Sequence, residues 1–172
     1  MICNYMYQEV YKIGGRKFGI LSLQDLGFLP SLRALEHTNT LIGFREQVLV
    51  LVKLHNKALA KVLRELKKQL KGFKYSNFDV YSSASERVNN PSKYGFKEGK
   101  AACCGFGPYR GAGGCGGMGA IKEYELCDNP SEYLFFDGGH PTEKFNNQLA
   151  ELMWSGNPKI ISPYNIKTLV DA

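Results

Sequence analysis

The segment 44-FREQVLVLVKLHNKALAKVLRELKKQLKG-72 sets the strongest limit on the fold. Its apolar residues Val48, Val52, Leu59, Val62, Leu66 and Leu70 recur at the spacing that gathers side chains on one face of a helix. Gly72 follows the last turn, where a left-handed cap can form without a Cβ penalty. The flanking segments have a different character. The first, 16-RKFGILSL-23, lies between Gly14-Gly15 and the Gly–Pro turn region 25-DLGFLPSL-32, and the second, 73-FKYSNFDVY-81, is aromatic and alternating. Both read as strands. A strand, a long helix and a second strand make a right-handed βαβ unit, which places both strands parallel in one sheet. The expected class is α/β.

With 172 residues, 44% of them hydrophobic, the chain can bury one sizeable core, so residues 1–172 are expected to form a single domain. Beyond the βαβ unit, 82-SSASERVNNPSKYGF-96 is polar and allows a short helical turn at most, stopped by Asn90-Pro91. The segment 99–120 is rich in glycine and reads as a loop. Within it, 105-GFGPYRGAGG-114 is a poor phosphate loop, because Arg110 occupies the third glycine position and no strand leads into it. Tyr133, Phe135 and Phe136 form an aromatic, strand-like run. Pro141 then suits the first positions of a helix whose stripe Phe145, Leu149, Leu152 and Met153 ends at Gly156. The tail 157–172 is expected to lie across the surface.

The formal charge of +6 raises the question of an anionic partner. Lys57, Lys61, Arg64, Lys67, Lys68 and Lys71 recur beside the apolar stripe of the long helix, the pattern of a solvated face. No aromatic-and-basic RNA motif and no helix-turn-helix signature accompanies them, so nucleic acid is not an expected partner. The N-terminus lacks the unbroken apolar core of a signal peptide, and no apolar run is long enough to span a bilayer. Four of the five cysteines, Cys103, Cys104, Cys115 and Cys127, crowd one stretch. Zinc knuckles place ligand pairs two to four residues apart, a spacing absent here, so two disulfides fit better than a metal site or reduced thiols, the latter remaining the alternative, and would mean an oxidising compartment. That implication and the missing export signal disagree.

Three histidines are candidates for chemistry. His55 on the long helix and His37 in a polar connection have bland surroundings. His140 differs, because Asp137 precedes it on the hinge 137-DGGHP-141. An acid at this spacing can hold an imidazole in one tautomer and stabilise it when protonated. It could equally cap the helix that follows.

The run Asp137-x-x-His140-Pro-Thr-Glu resembles the last sequence block of the plant-type GDSL esterase/lipases, members of the SGNH hydrolase superfamily. Further stretches resemble the family in the same order: 14-GGRKFGILSLQDLGFLP-30, the long helix with its LHN, 89-NNPSKYGF-96, 101-AACCGFG-107 and 126-LCDNPSEYLFFDGGHPTEK-144. The resemblance implies a three-layer α/β/α sandwich of parallel strands and a carboxylic-ester hydrolase acting on lipid or small acyl esters. It makes His140 the general base and Asp137 its orienting carboxylate, with no cofactor and no metal. It further implies a secreted enzyme.

The family's nucleophile lies in a Gly-Asp-Ser block, and no such tripeptide occurs in this sequence. Ser82, Ser83 and Ser85 match no nucleophile context. The chain thus resembles the C-terminal portion of the domain, with the leading strands missing. The strand at 16–23 is then expected to present unpaired backbone, and apolar helix faces to meet water. The family's usual cysteines near Phe28 and Gly43 are both absent, which reads as loss of one disulfide. An alternative is a truncated, non-catalytic paralogue that acts as a binding or interaction protein.

Overall fold

A computed structural model describes residues 2–38, 43–113, 115 and 123–172. Strands β1 (Lys17–Leu21) and β2 (Lys74–Phe78) pair in parallel, with Lys17 opposite Lys74 and Leu21 opposite Phe78. The helix Phe44–Gln69 connects them, so the strand–helix–strand reading holds. Its buried residues are Val52, Leu59, Leu63 and Leu66. Leu63 thus joins the stripe, whereas Val48, Val62 and Leu70 are only half-buried. Gly72 adopts the left-handed conformation, φ +78°, as its position beyond the last turn requires.

The period-two alternation of β2 divides the interior. Tyr75 points into a cluster of Ile20, Leu59, Leu63, Leu66 and Phe73, and Phe78 points into a second cluster built on Phe96, Leu134, Phe135, Phe145 and Ile161. On β1, Phe18 and Ile20 share the first cluster. A Cβ on Gly19 would lie 3.0 Å from Ile166 on the opposite face. Apolar residues on both faces commit β2 to burial between helices, while on β1 only Ile20 is buried.

Several elements depart from the sequence expectation. The N-terminal residues Ile2–Lys12 form helix α1, whose Tyr7 and Tyr11 pack on the first cluster. The turn region and polar connection contain helix α2 (Pro30–His37), so His37 ends a helix rather than lying in a loop. The long helix is accordingly α3. Helix α4 (Val80–Asn89) replaces the single turn expected at 82–96. Its polar letters conceal an amphipathic face. Buried Arg87 lies under the Tyr94 ring at 4.3 Å and donates to Gln148 and the Ser83 carbonyl, and burial lowers its guanidinium pKa.

The glycine-rich segment is not all loop. Strand β3 (Glu98–Ala102) and strand β4 (Cys104–Gly105) come from its start; β4 pairs antiparallel with β5 (Glu125–Leu126), and β3 pairs in parallel with β6 (Tyr133–Phe135). Small residues serve the strand here, since a Cβ on Gly99 would already lie 3.2 Å from Leu134. Residues 114 and 116–122 of that expected loop lie outside the described residues. Helix α5 (Glu143–Ser155) begins after the N-cap Thr142, whose hydroxyl accepts from the Phe145 N–H, so Pro141 precedes the helix instead of occupying its first turn. The C-terminal tail does not simply cross the surface. Strand β7 (Ile161–Pro163) adds antiparallel to β2, and helix α6 (Ile166–Asp171) follows, with Ile161 and Leu169 buried. These segments are too short to display a periodicity in the sequence.

The main sheet is therefore mixed, in the order β1-β2-β7, and the class is α/β. Among the described residues β1 is an edge strand. Its Leu21 is 51% exposed, and Val50, Leu51 and Leu54 of α3 are exposed as well. No helix of the described residues is long and apolar enough to cross a membrane.

Candidate active site

Strand β6 delivers the chain into the turn 136–141, and backbone hydrogen bonds close that turn at its base. The Phe136 N–H donates to the His140 carbonyl at 2.8 Å, and the Thr142 N–H donates to the Leu134 carbonyl at 2.9 Å. The Thr142 hydroxyl also donates to the Tyr133 carbonyl, so the chain leaving the turn is fastened back onto the strand that entered it.

Asp137 organises the interior of the turn. Its Oδ1 accepts the Gly139 and His140 backbone N–H groups at 2.9 and 2.8 Å, and the His140 Nδ1 lies 2.8 Å from Oδ1 and 2.9 Å from Oδ2. An ionised carboxylate only accepts, so Nδ1 carries the proton and Nε2 presents its lone pair. Nε2 makes no hydrogen bond to the described residues. The imidazole side chain is 79% exposed while Asp137 is 22% exposed, so the acid is sheltered and the base reaches outward. Asp137 does not cap α5; Thr142 does that. The local fold thus brings together both residues singled out in the sequence.

The other candidates are bland. His55 is exposed on α3, and His37 meets the Tyr109 ring edge-on at 6.0 Å. Ser82 donates its hydroxyl to Asp79 at 2.6 Å in the N-cap of α4, and Ser83 is buried in that helix. None of them approaches an imidazole through a hydrogen bond.

Sequence reasoning missed the platform under the turn. The Ser31 N–H, in the first turn of α2, donates to the Gly138 carbonyl at 3.0 Å. A Cβ on Gly138 would lie 2.5 Å from the Gly111 carbonyl oxygen, and a Cβ on Gly111 would lie 2.2 Å from that of Pro30. Three backbone segments therefore stack with no side chain between them. Glycine is required at both positions because a Cβ has nowhere to go. Nothing in the sequence separates these glycines from their many neighbours.

Two disulfides, Cys103–Cys127 and Cys104–Cys115, tie the region beside β6. The Cys103 and Cys104 N–H groups donate to the Phe135 and Phe136 carbonyls, so the bridges anchor to the strand that carries Asp137. All four clustered cysteines are consumed in these bonds, which leaves none of them as a thiolate for zinc. Among the described residues no other His, Cys, Asp and Glu side chains group as a metal site would need.

A sheltered carboxylate beside an outward imidazole is an arrangement that can take part in acid–base chemistry. Comparison with known proteins bears on the family. The family model described as GDSL-like Lipase/Acylhydrolase matches residues 2–153. The chain is similar to GDSL esterase/lipase 1 of Arabidopsis thaliana, with 50% identity over 167 residues covering 96% of this chain and 44% of that protein. It is similar to a GDSL lipase of Tanacetum cinerariifolium, with 47% identity covering 94% of this chain and 43% of that protein. Identity falls to 39% with an inactive GDSL esterase/lipase-like protein 25 of Arabidopsis thaliana, covering 94% of this chain and 36% of that protein. The chain spans less than half the length of these curated relatives.

Proposed function

The chain belongs to the GDSL-like lipase/acylhydrolase family, and on that premise we propose that it supplies the acid–base half of a carboxylic-ester hydrolase. His140 Nε2 takes the proton of a serine hydroxyl as its oxygen attacks the ester carbonyl. The imidazolium then returns that proton to the departing alcohol, and Asp137 stabilises the charge between the two transfers. Water repeats the cycle on the acyl-enzyme, releasing the carboxylic acid and regenerating the serine. The reading assigns the serine and the oxyanion donors to the portion of the family domain that this chain does not span. The substrates are lipid or small acyl esters.

One observation supports this above the rest: Asp137 holds Nδ1 with both carboxylate oxygens while Nε2 stays open to solvent. The fold reading follows the same line. Helices against both faces of β1 and β2 fit the rear of a three-layer α/β/α sandwich, and the open edge of β1 is where preceding strands would pair. Two disulfides favour a secreted protein.

The test is complementation. The chain is co-expressed with, or fused behind, the leading portion of GDSL esterase/lipase 1, and hydrolysis of p-nitrophenyl acetate is followed. Turnover is expected in the pair, background in the chain alone, and background in the pair carrying His140→Ala. Turnover that survives His140→Ala removes the assignment.

A further inference from the structure

The hydrogen bond from Arg87 to Gln148 joins helices α4 and α5 beside a hollow. Ser83 and Arg87 lie four residues apart on α4, and Gln148 and Leu152 lie four apart on α5, so each pair shares one helical face. The inner part of the hollow, about 180 Å³, is lined by Ser83, Glu86, Arg87, Tyr94, Leu152 and Ile160. An outer part of about 730 Å³ shares Arg87, Tyr94 and Leu152 with it and adds Lys93, Gln148 and Glu151.

Two buried polar groups on this wall are left without the partners they need. Arg87 is 6% exposed, yet its Nε and Nη1 go to neutral acceptors, the Gln148 side chain and the Ser83 carbonyl, and among the described residues Nη2 has no hydrogen-bond partner. Its guanidinium forms no ion pair there either, since Lys93 claims the neighbouring Glu86 carboxylate at 2.6 Å and Glu151 stands exposed on the outer wall. A buried cation without a counter-ion is costly. Beside it Ser83 is 5% exposed, and its Oγ has no hydrogen-bond partner among the described residues. Buried polar groups in folded proteins are normally paired, and a guanidinium can only donate, so the group that completes this wall is an acceptor.

The surroundings narrow the acceptor further. A guanidinium fork matches a carboxylate, and one uncompensated positive charge matches a single negative one. Glu86 and Glu151 oppose a second negative charge, which disfavours a phosphate dianion. The Tyr94 ring, Leu152 and Ile160 supply apolar surface for an organic body, and the small inner volume limits its size.

We propose that the hollow between α4 and α5 binds a small organic monocarboxylate, with its charge on Arg87 and Ser83 and its apolar body against Leu152 and Ile160. No residue of the turn 136–141 lines the hollow, so the Asp137–His140 pair takes no part in this binding.

The inference is tested on the whole chain, labelled with ¹⁵N and titrated separately with benzoate, acetate, benzamide and inorganic phosphate. Benzoate is expected to give saturable shifts at the Ser83 and Tyr94 amides and at the Arg87 Nε–H. Acetate, which lacks the apolar body, and benzamide, which lacks the charge, are each expected to bind at least about tenfold more weakly. Ser83→Ala removes a hydroxyl that is unpaired in the free chain, so the urea midpoint is expected to hold or rise while benzoate weakens about threefold to tenfold. Arg87→Lys keeps the charge but loses the fork and is expected to weaken benzoate at least about tenfold. His140→Ala is expected to leave benzoate binding unchanged. The absence of saturable shifts, phosphate or benzamide binding as tightly as benzoate, or an affinity indifferent to Ser83→Ala would overturn the inference. Loss of binding in His140→Ala would do the same, by moving the carboxylate to the histidine turn.

Discussion

The turn carrying Asp137 and His140 and the margin of the sheet at β1 are opposite cases. In the turn, backbone bonds close the base, one carboxylate oxygen gathers two N–H groups and the imidazole, and three backbone segments stack beneath. At the margin, β1 pairs on one side only among the described residues and its Leu21 meets water, as do Val50, Leu51 and Leu54 on α3. The geometry of the Asp137–His140 turn is thus complete within this chain, whereas the packing at β1 is open among the described residues. The turn is braced by its own hydrogen bonds and by the Ser31 and Gly111 backbone beneath it, whereas an edge with apolar neighbours suits another polypeptide surface.

The sharpest way to break this contrast is to disable the turn chemically while leaving its shape. In the complemented enzyme, Asp137→Asn is expected to lower kcat about 10⁴-fold, because an amide cannot select the Nδ1–H tautomer. Steady-state hydrolysis checks it. Disturbing the platform comes next. Gly111→Val drives a side chain into the Pro30 carbonyl and is expected to cost about 3 kcal/mol, read as a shift in the urea midpoint.

Removing Cys103–Cys127, which closes a stretch of 24 residues, is expected to cost about 2–3 kcal/mol in the same assay. The margin should behave otherwise. Val50→Lys with Leu54→Lys is expected to leave stability within about 0.5 kcal/mol, since both residues are already exposed, while impairing assembly with the leading portion of the domain. A large loss of stability in that variant would erase the distinction between finished and open regions.

The smallest effect concerns the exposed pair Lys93 and Glu86, 2.6 Å apart. The hydrogen bond from Lys93 holds the Glu86 carboxyl below its ordinary pKa, and the same bond raises that of Lys93. A depressed carboxyl stabilises the fold above its unfolded pKa and loses that contribution as pH falls through the folded value. A raised amine stabilises it below its unfolded pKa and loses the contribution as pH rises through the folded one. Lys93→Ala should therefore be slightly destabilised near neutrality and indistinguishable from the parent in acid, and salt should close the gap by weakening the parent's pair. Thermal melts across pH test this.

Long periodic segments were legible in the sequence, and short or side-chain-poor ones were not. Val52, Leu59 and Leu66 announced α3, and Phe145 and Leu149 announced α5, because an amphipathic stripe repeats over several turns. Helix α4 was hidden by Ser83 and Arg87 on its buried face, where a guanidinium stacked on Tyr94 takes the place of an apolar residue. Strands β3 and β7 were hidden because backbone pairing with distant partners defines them. Asp137 and His140 were visible as a motif, since their interaction is local. Gly111, Gly138 and Ser31 were invisible, since their roles depend on segments that meet only in three dimensions.

Gly111 lies within the stretch that Cys104–Cys115 closes, and it is the floor on which Gly138 rests. The stance of the imidazole is thereby linked to the thiol chemistry of the surroundings, though neither sulfur comes near the ring in sequence. In an oxidising medium the bridge pins that floor, and in a reducing one the same span keeps, among the described residues, its backbone bonds, the Arg110–Glu125 ion pair and the Arg110 bond to the Ala102 carbonyl, so the redox medium bears on how firmly the imidazole is seated.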